Sequence, residues 1–215
     1  MNRLDGLTLN IELTLISIIQ GVTLFFLVDS SRAILLGEQY FFWPYVATGL
    51  VIIFLFWSRA IIHTLTIIRW PMDFGHTFIY IVTAFIQAIA FTQVSRPSHW
   101  FALFAVLAIF IWSLFFWDLK MIERTVPRLR SPSTLALFNA AKRSQQRNVR
   151  YVLPFSFTFN VAAYLVISRW PEIFIARHWH LAFIGFQFTA ASIYLVEGIH
   201  FFKQTLHHFQ DAEEP

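Results

Sequence analysis

HWFALFAVLAIFIWSLFFWDLKMIER, residues 99–124, is the stretch whose reading decides the fold. Its apolar body runs from Trp100 to Trp117 without a charge, and Asp118, Lys120 and Arg124 close it. At about 1.5 Å per residue, the path from Trp100 to Asp118 spans about 28 Å, the thickness of a bilayer's hydrocarbon core. A second stretch repeats the plan. HWHLAFIGFQFTAASIYLVEGIHFFK, residues 178–203, opens on His178-Trp179, places Glu197 where the first has Asp118, and ends on Lys203 in place of Arg124. Four of 26 positions are identical in this ungapped register: the opening His and Trp, Phe104 with Phe183, and Ser113 with Ser192. Each stretch reads as a membrane-crossing helix with Trp at one face and an acid, then a cation, at the other.

Composition agrees. Of 215 residues 57% are hydrophobic and only 13% charged, against about 25% charged in a soluble domain. Zero cysteines exclude disulfides, Cys-ligated zinc and iron–sulfur clusters. Six apolar runs are expected to span, near Leu9–Val28, Phe41–Ile62, Phe74–Val94, Trp100–Leu119, Val152–Ile167 and Leu181–Phe202. The expected fold is therefore an all-α integral membrane bundle of six helices, one transmembrane domain over residues 1–215. The first run is read as a retained helix, since no small-residue cleavage site follows it, and no lipidation motif is seen. Pro154 falls in the first turn of the fifth run, where proline is tolerated.

The connection over residues 123–150 is long and basic. It holds Arg128, Arg130, Lys142, Arg143, Arg147 and Arg150, with no acid after Glu123. If it is cytoplasmic, alternation puts both termini inside, and Lys and Arg divide twelve inside against four outside, as the positive-inside rule requires. Ser131-Pro132-Ser133 reads as a helix start, with Leu135, Phe138 and Ala141 or Lys142 at helical spacing. A short helix on the inner membrane surface is expected there, its cations facing anionic lipid headgroups. Nucleic acid is not the expected partner, because no binding motif or aromatic interleaving accompanies the basic residues. The outer connections carry Ser31-Arg32, Ser95-Arg96 and Ser168-Arg169, each followed by a Trp (Trp43, Trp100, Trp179). This pattern suggests three tandem helical hairpins with those Trp residues in the outer interfacial belt.

Ionisable residues near the spans gather at the inner side: Glu12, Arg59, His63, His76, Asp118, Glu197 and His200, from five helices. Such residues either mark a functional path or snorkel to the headgroups. An ion pair of Arg59 with Glu197 or Asp118 would hold them economically. Deeper, Gln20, Gln87, Asn160 and Gln187 are expected to bond across helices. No GxSxG, HExxH or phosphate-binding glycine loop is present, so no enzyme is indicated and no metal site is expected. Three functions are consistent with the pattern. One is a small ion channel or transporter with the charge cluster at its cytoplasmic mouth, acting as a homo-oligomer. Another is a non-catalytic accessory subunit of a larger membrane complex. The third is a haem- or quinone-binding subunit, with His63 and His200 as the pair for haem. A bacterial-type cytoplasmic (inner) membrane is the expected location.

Overall fold

The computed structural model of the chain describes residues 3–66, 74–125 and 132–213; within these, side chains are described for 10–61, 75–124, 135, 138–201 and 203. The described chain is helical, with no strand: α1 (Arg3–Leu36), α2 (Trp43–Thr66), α3 (Phe74–Phe91), α4 (Pro97–Thr125), α5 (Pro132–Arg147), α6 (Leu153–Arg169), the single turn α7 (Pro171–Phe174) and α8 (His180–Glu213). Five helical stretches are long and apolar enough to cross a membrane: Asn10–Leu36, Tyr40–Ile61, Pro97–Arg124, Phe138–Arg169 and His180–Phe201. Gly75–Phe91 in α3 is apolar but shorter.

Several boundaries differ from the sequence expectation. α1 does not stop at Val28 but carries Asp29, Ser30, Ser31 and Arg32 as helix. Ser31 is buried and its hydroxyl donates to the Leu27 carbonyl, so the polar run bonds back into the helix instead of leaving it. The chain turns only after Leu36, where Gln39 N–H donates to the Ile34 carbonyl and Glu38 takes a left-handed conformation at φ 53°. A 3-10 turn over Tyr40–Phe42 then leads into α2.

The helix expected in the basic connection is present as α5, and it passes through a π-turn, Asn148–Val152, straight into α6. Proline explains the widening. Pro154 has no N–H to donate and its ring would strike a carbonyl one turn back, and the five-residue spacing opens that turn without ending the helix. The apolar stripe expected on α5 is real: Phe138 and Ala141 are buried against Ile122 of α4 and Phe201 of α8.

Backbone neighbours follow the order α8, α2, α1, α3, α4, α6, an open ring of six helices. Two of the three expected hairpins are present as packed pairs, α1 with α2 and α3 with α4. The third is not. α6 packs mainly on α4 and α8 mainly on α2, and the two meet through side chains, with Phe159 and Phe186 4.8 Å apart between ring centroids. At Gly49 in α2 the absent side chain matters, since a Cβ there would lie 2.8 Å from Leu27 Cδ1 of α1. Small residues permit such close approach where lipid offers helices no hydrophobic reason to associate.

The ring is closed by aromatic packing at the end where α4 and α8 begin. Tyr45, Phe91, Trp100 and Phe101 are fully buried, with Trp100 edge-on to Tyr45 at 5.4 Å and 4.5 Å from Phe104. Of the three Trp residues expected at the outer side, Trp100 packs into the core, while Trp43 and Trp179 are exposed.

Candidate functional site

Toward the other end the ring opens into a cavity of about 270 Å³. Its walls come from α1, α2, α3, α4, the π-turn, α6 and α8, and they are predominantly apolar. Leu153 and Phe159 of α6 and Phe186 and Ala191 of α8 are among its lining residues. Two groups of polar residues line it, Ser156, Asn160 and Gln187 in one and Glu12, Arg59, His76 and Asp118 in the other; Thr77, Tyr80 and Tyr194 line it as well.

The amide group is internally satisfied. Trp100 Nε1 donates to Gln187 Oε1 at 2.9 Å, Gln187 Nε2 donates to Asn160 Oδ1 at 3.2 Å, and Asn160 Nδ2 donates to the Ser156 carbonyl at 2.8 Å. This chain ties α4 to α8 to α6 across the core, the role expected of deep amides. Gln20 likewise reaches Tyr80 Oη of α3 at 3.1 Å. Gln87 does not fit that expectation: it is fully buried and neither amide atom has a partner.

The charged group is organised around Asp118. Its Oδ1 lies 3.0 Å from His76 Nε2 and its Oδ2 accepts from Gln145 Nε2 at 3.0 Å. Gln145 in turn stands 3.4 Å from Asn148 of the π-turn. Asp118 is buried, so its carboxylate depends on these partners. Glu12, on the α1 wall, is within electrostatic reach of His76. Arg59 pairs with neither Asp118 nor Glu197, contrary to expectation. Its guanidinium rests over the Tyr194 ring, 4.5 Å from the centroid. Arg59 Nε is buried without a hydrogen-bond partner, and no carboxylate is within ion-pair distance of Arg59 among the described residues.

Four of the residues singled out from sequence therefore meet at one cavity: Glu12, Arg59, His76 and Asp118. Glu197 does not line it. It is exposed on α8 and bound to Arg147 at 2.7 Å, and His200 is exposed on the same helix. The side chain of His63 lies outside the described residues, as do Arg128 and Arg130, so the proposed His63–His200 haem pair has no described geometry. Among the remaining basic residues, Lys142 pairs with Glu123 at 3.2 Å, Arg143 is exposed, and Arg150 lies 5.7 Å from the Tyr151 ring.

Sequence reasoning missed Gln145 as the partner of Asp118. A signal was present: Phe138, Ala141, Gln145 and Asn148 follow one another at three- and four-residue steps, all buried, so the α5 stripe continues into polar residues. It also missed the buried pair Tyr45 Oη and His180 Nδ1, 3.1 Å apart. His180 is buried and its ring stacks with Phe42.

Comparison with family models, with curated proteins and with solved structures finds no match to this chain. Its class rests on its own architecture: an all-helical membrane protein, with five helices long and apolar enough to span and a cavity between them carrying charged groups.

Proposed function

We propose that the chain is a multi-pass membrane transporter, crossing six times with both termini cytoplasmic, whose substrate site is the cavity bearing Arg59, Glu12, His76 and Asp118. The observation that carries this reading is the shape of that cavity. It has ionisable groups on one part of its wall, while the far end of the bundle is packed solid with Tyr45, Phe91, Trp100 and Phe101. A conducting channel needs a continuous polar path; a carrier needs a site open toward one side at a time and closed toward the other. The predominantly apolar lining suits a substrate with an apolar body better than a hydrated ion.

The topology is tested with the cysteine-free background. Gln39→Cys and Gln146→Cys are both at exposed positions. In sealed right-side-out vesicles a membrane-impermeant maleimide is expected to label Gln39→Cys and to spare Gln146→Cys until the membrane is opened. Labelling of both in sealed vesicles would refute the six-crossing arrangement.

The transport reading is tested in proteoliposomes and planar bilayers. Saturable exchange of small apolar-bodied solutes is expected, lost in Ala191→Phe, which puts a ring into the cavity wall. Unitary ion currents that persist in Ala191→Phe would replace the carrier reading with a channel outside this cavity.

A further inference from the structure

The geometry points to a single-chain amphiphile with an acidic head, a carboxylate or phosphate monoester, as the occupant of the cavity, its head on Arg59 and its tail among Leu107, Phe159 and Phe186. This deepens the transporter reading and rests on it.

Three observations converge on that class. Arg59 is the first. A guanidinium held inside a membrane bundle is costly unless it meets an anion, a ring face or water, and here it has the ring of Tyr194 but no carboxylate. The acids around the site have other partners: Asp118 has its two oxygens on His76 and Gln145, and Glu197 is engaged outside by Arg147. Among the described residues Arg59 has no carboxylate partner and so can recognise a ligand's charge, and its buried Nε lacks an acceptor.

The second observation is the wall. Apart from the two polar groups, Thr77 and the hydroxyls of Tyr80 and Tyr194, it is built of aliphatic and aromatic side chains, so most of any occupant must be hydrocarbon. The third is size. At about 270 Å³ the space lies near the lower end of the about 300–1,000 Å³ of drug-sized ligand sites, which suits one short chain. The amides at Asn160 and Gln187 already bond each other, so they demand no second polar end from the ligand.

The test uses full-length protein in phosphatidylcholine nanodiscs and the probes decanoate, decyl phosphate, decanol and decyltrimethylammonium, with binding read by equilibrium dialysis of labelled probe. Saturable binding of both acids is expected, with the cation excluded. Arg59→Gln should weaken both acids by about tenfold or more, the scale of one charged hydrogen bond, and leave decanol within about twofold. Arg59→Lys should restore part of the loss, since charge returns without the planar fork. Ala191→Phe should abolish binding of acids and decanol alike. Wild-type and variant melting curves confirm that each protein is folded.

Decanol and the cation binding as well as the acids, unaffected at Arg59, would overturn the acidic-head assignment while leaving a substrate cavity in place. No probe binding to folded protein would overturn both this assignment and the cavity as a substrate site. Acid binding that vanishes when phosphatidylglycerol replaces phosphatidylcholine would show that a bilayer headgroup takes Arg59, and would overturn the single-chain occupant.

Discussion

Trp100→Ala is expected to destabilise the protein by about 3–5 kcal/mol, the range for removing a fully buried large aromatic, whereas Trp179→Ala should cost under about 1 kcal/mol. The two residues hold the same place in the two repeated stretches, yet Trp100 is 0% exposed and Trp179 60%. Trp100 loses more than volume when truncated. Its ring contacts Tyr45 and Phe104, and its Nε1 supplies the donor that holds Gln187 in the amide chain. Trp100→Phe separates these contributions, keeping most of the ring packing and costing about 1–3 kcal/mol for the acceptor left unpaired on Gln187. Thermal unfolding in nanodiscs checks all three. Equal losses for Trp100→Ala and Trp179→Ala would mean that Trp100 does not occupy the core position described.

His76→Ala is the second large effect. Asp118 has 5% of its side chain exposed and His76 21%, and removing the histidine leaves a buried carboxylate with Gln145 as its remaining close partner of the two described above. A loss near the lower end of the about 3–5 kcal/mol typical of breaking a buried pair is expected. The other acid of the repeat supplies the contrast. Glu197 and Arg147 are 47% and 49% exposed, so Arg147→Ala should cost no more than about 1 kcal/mol. A double-mutant cycle on His76 and Asp118 should give a coupling above about 1 kcal/mol, and the same cycle on Arg147 and Glu197 a value near zero. Comparable couplings in the two cycles would contradict the burial assigned to Asp118.

The two contrasts show where sequence symmetry stops. Residues 99–124 and 178–203 share a plan because both must cross a similar thickness of hydrocarbon, and that requirement acts on each helix separately. Whether Trp100 and Trp179, or Asp118 and Glu197, face a neighbour or the surroundings depends on which helices stand beside them. α4 is flanked by α3 and α6 within the ring, while α8 stands at its open end beside α2. One copy of the pattern is therefore inward and the other largely outward.

Much was settled by sequence alone. Length and apolar character made residues 9–28, 41–62, 100–119 and 181–202 helices, because a backbone in hydrocarbon must satisfy its hydrogen bonds within the segment. Periodicity placed Phe138 and Ala141 on the buried face of α5, and membrane depth marked Glu12, Arg59, His76 and Asp118 as residues needing an explanation. Tertiary structure alone decided the rest. It assigned Asp118 to His76 and Gln145 instead of Arg59, and sent Glu197 outside to Arg147. It ran α5 into α6 through a π-turn just before Pro154, and it left a cavity lined by residues of α1, α2, α3, α4, α6 and α8. The physical reason is that membrane insertion is set by the composition of each segment, whereas pairing and cavities depend on the rotation and spacing of helices far apart in the chain, which composition does not encode.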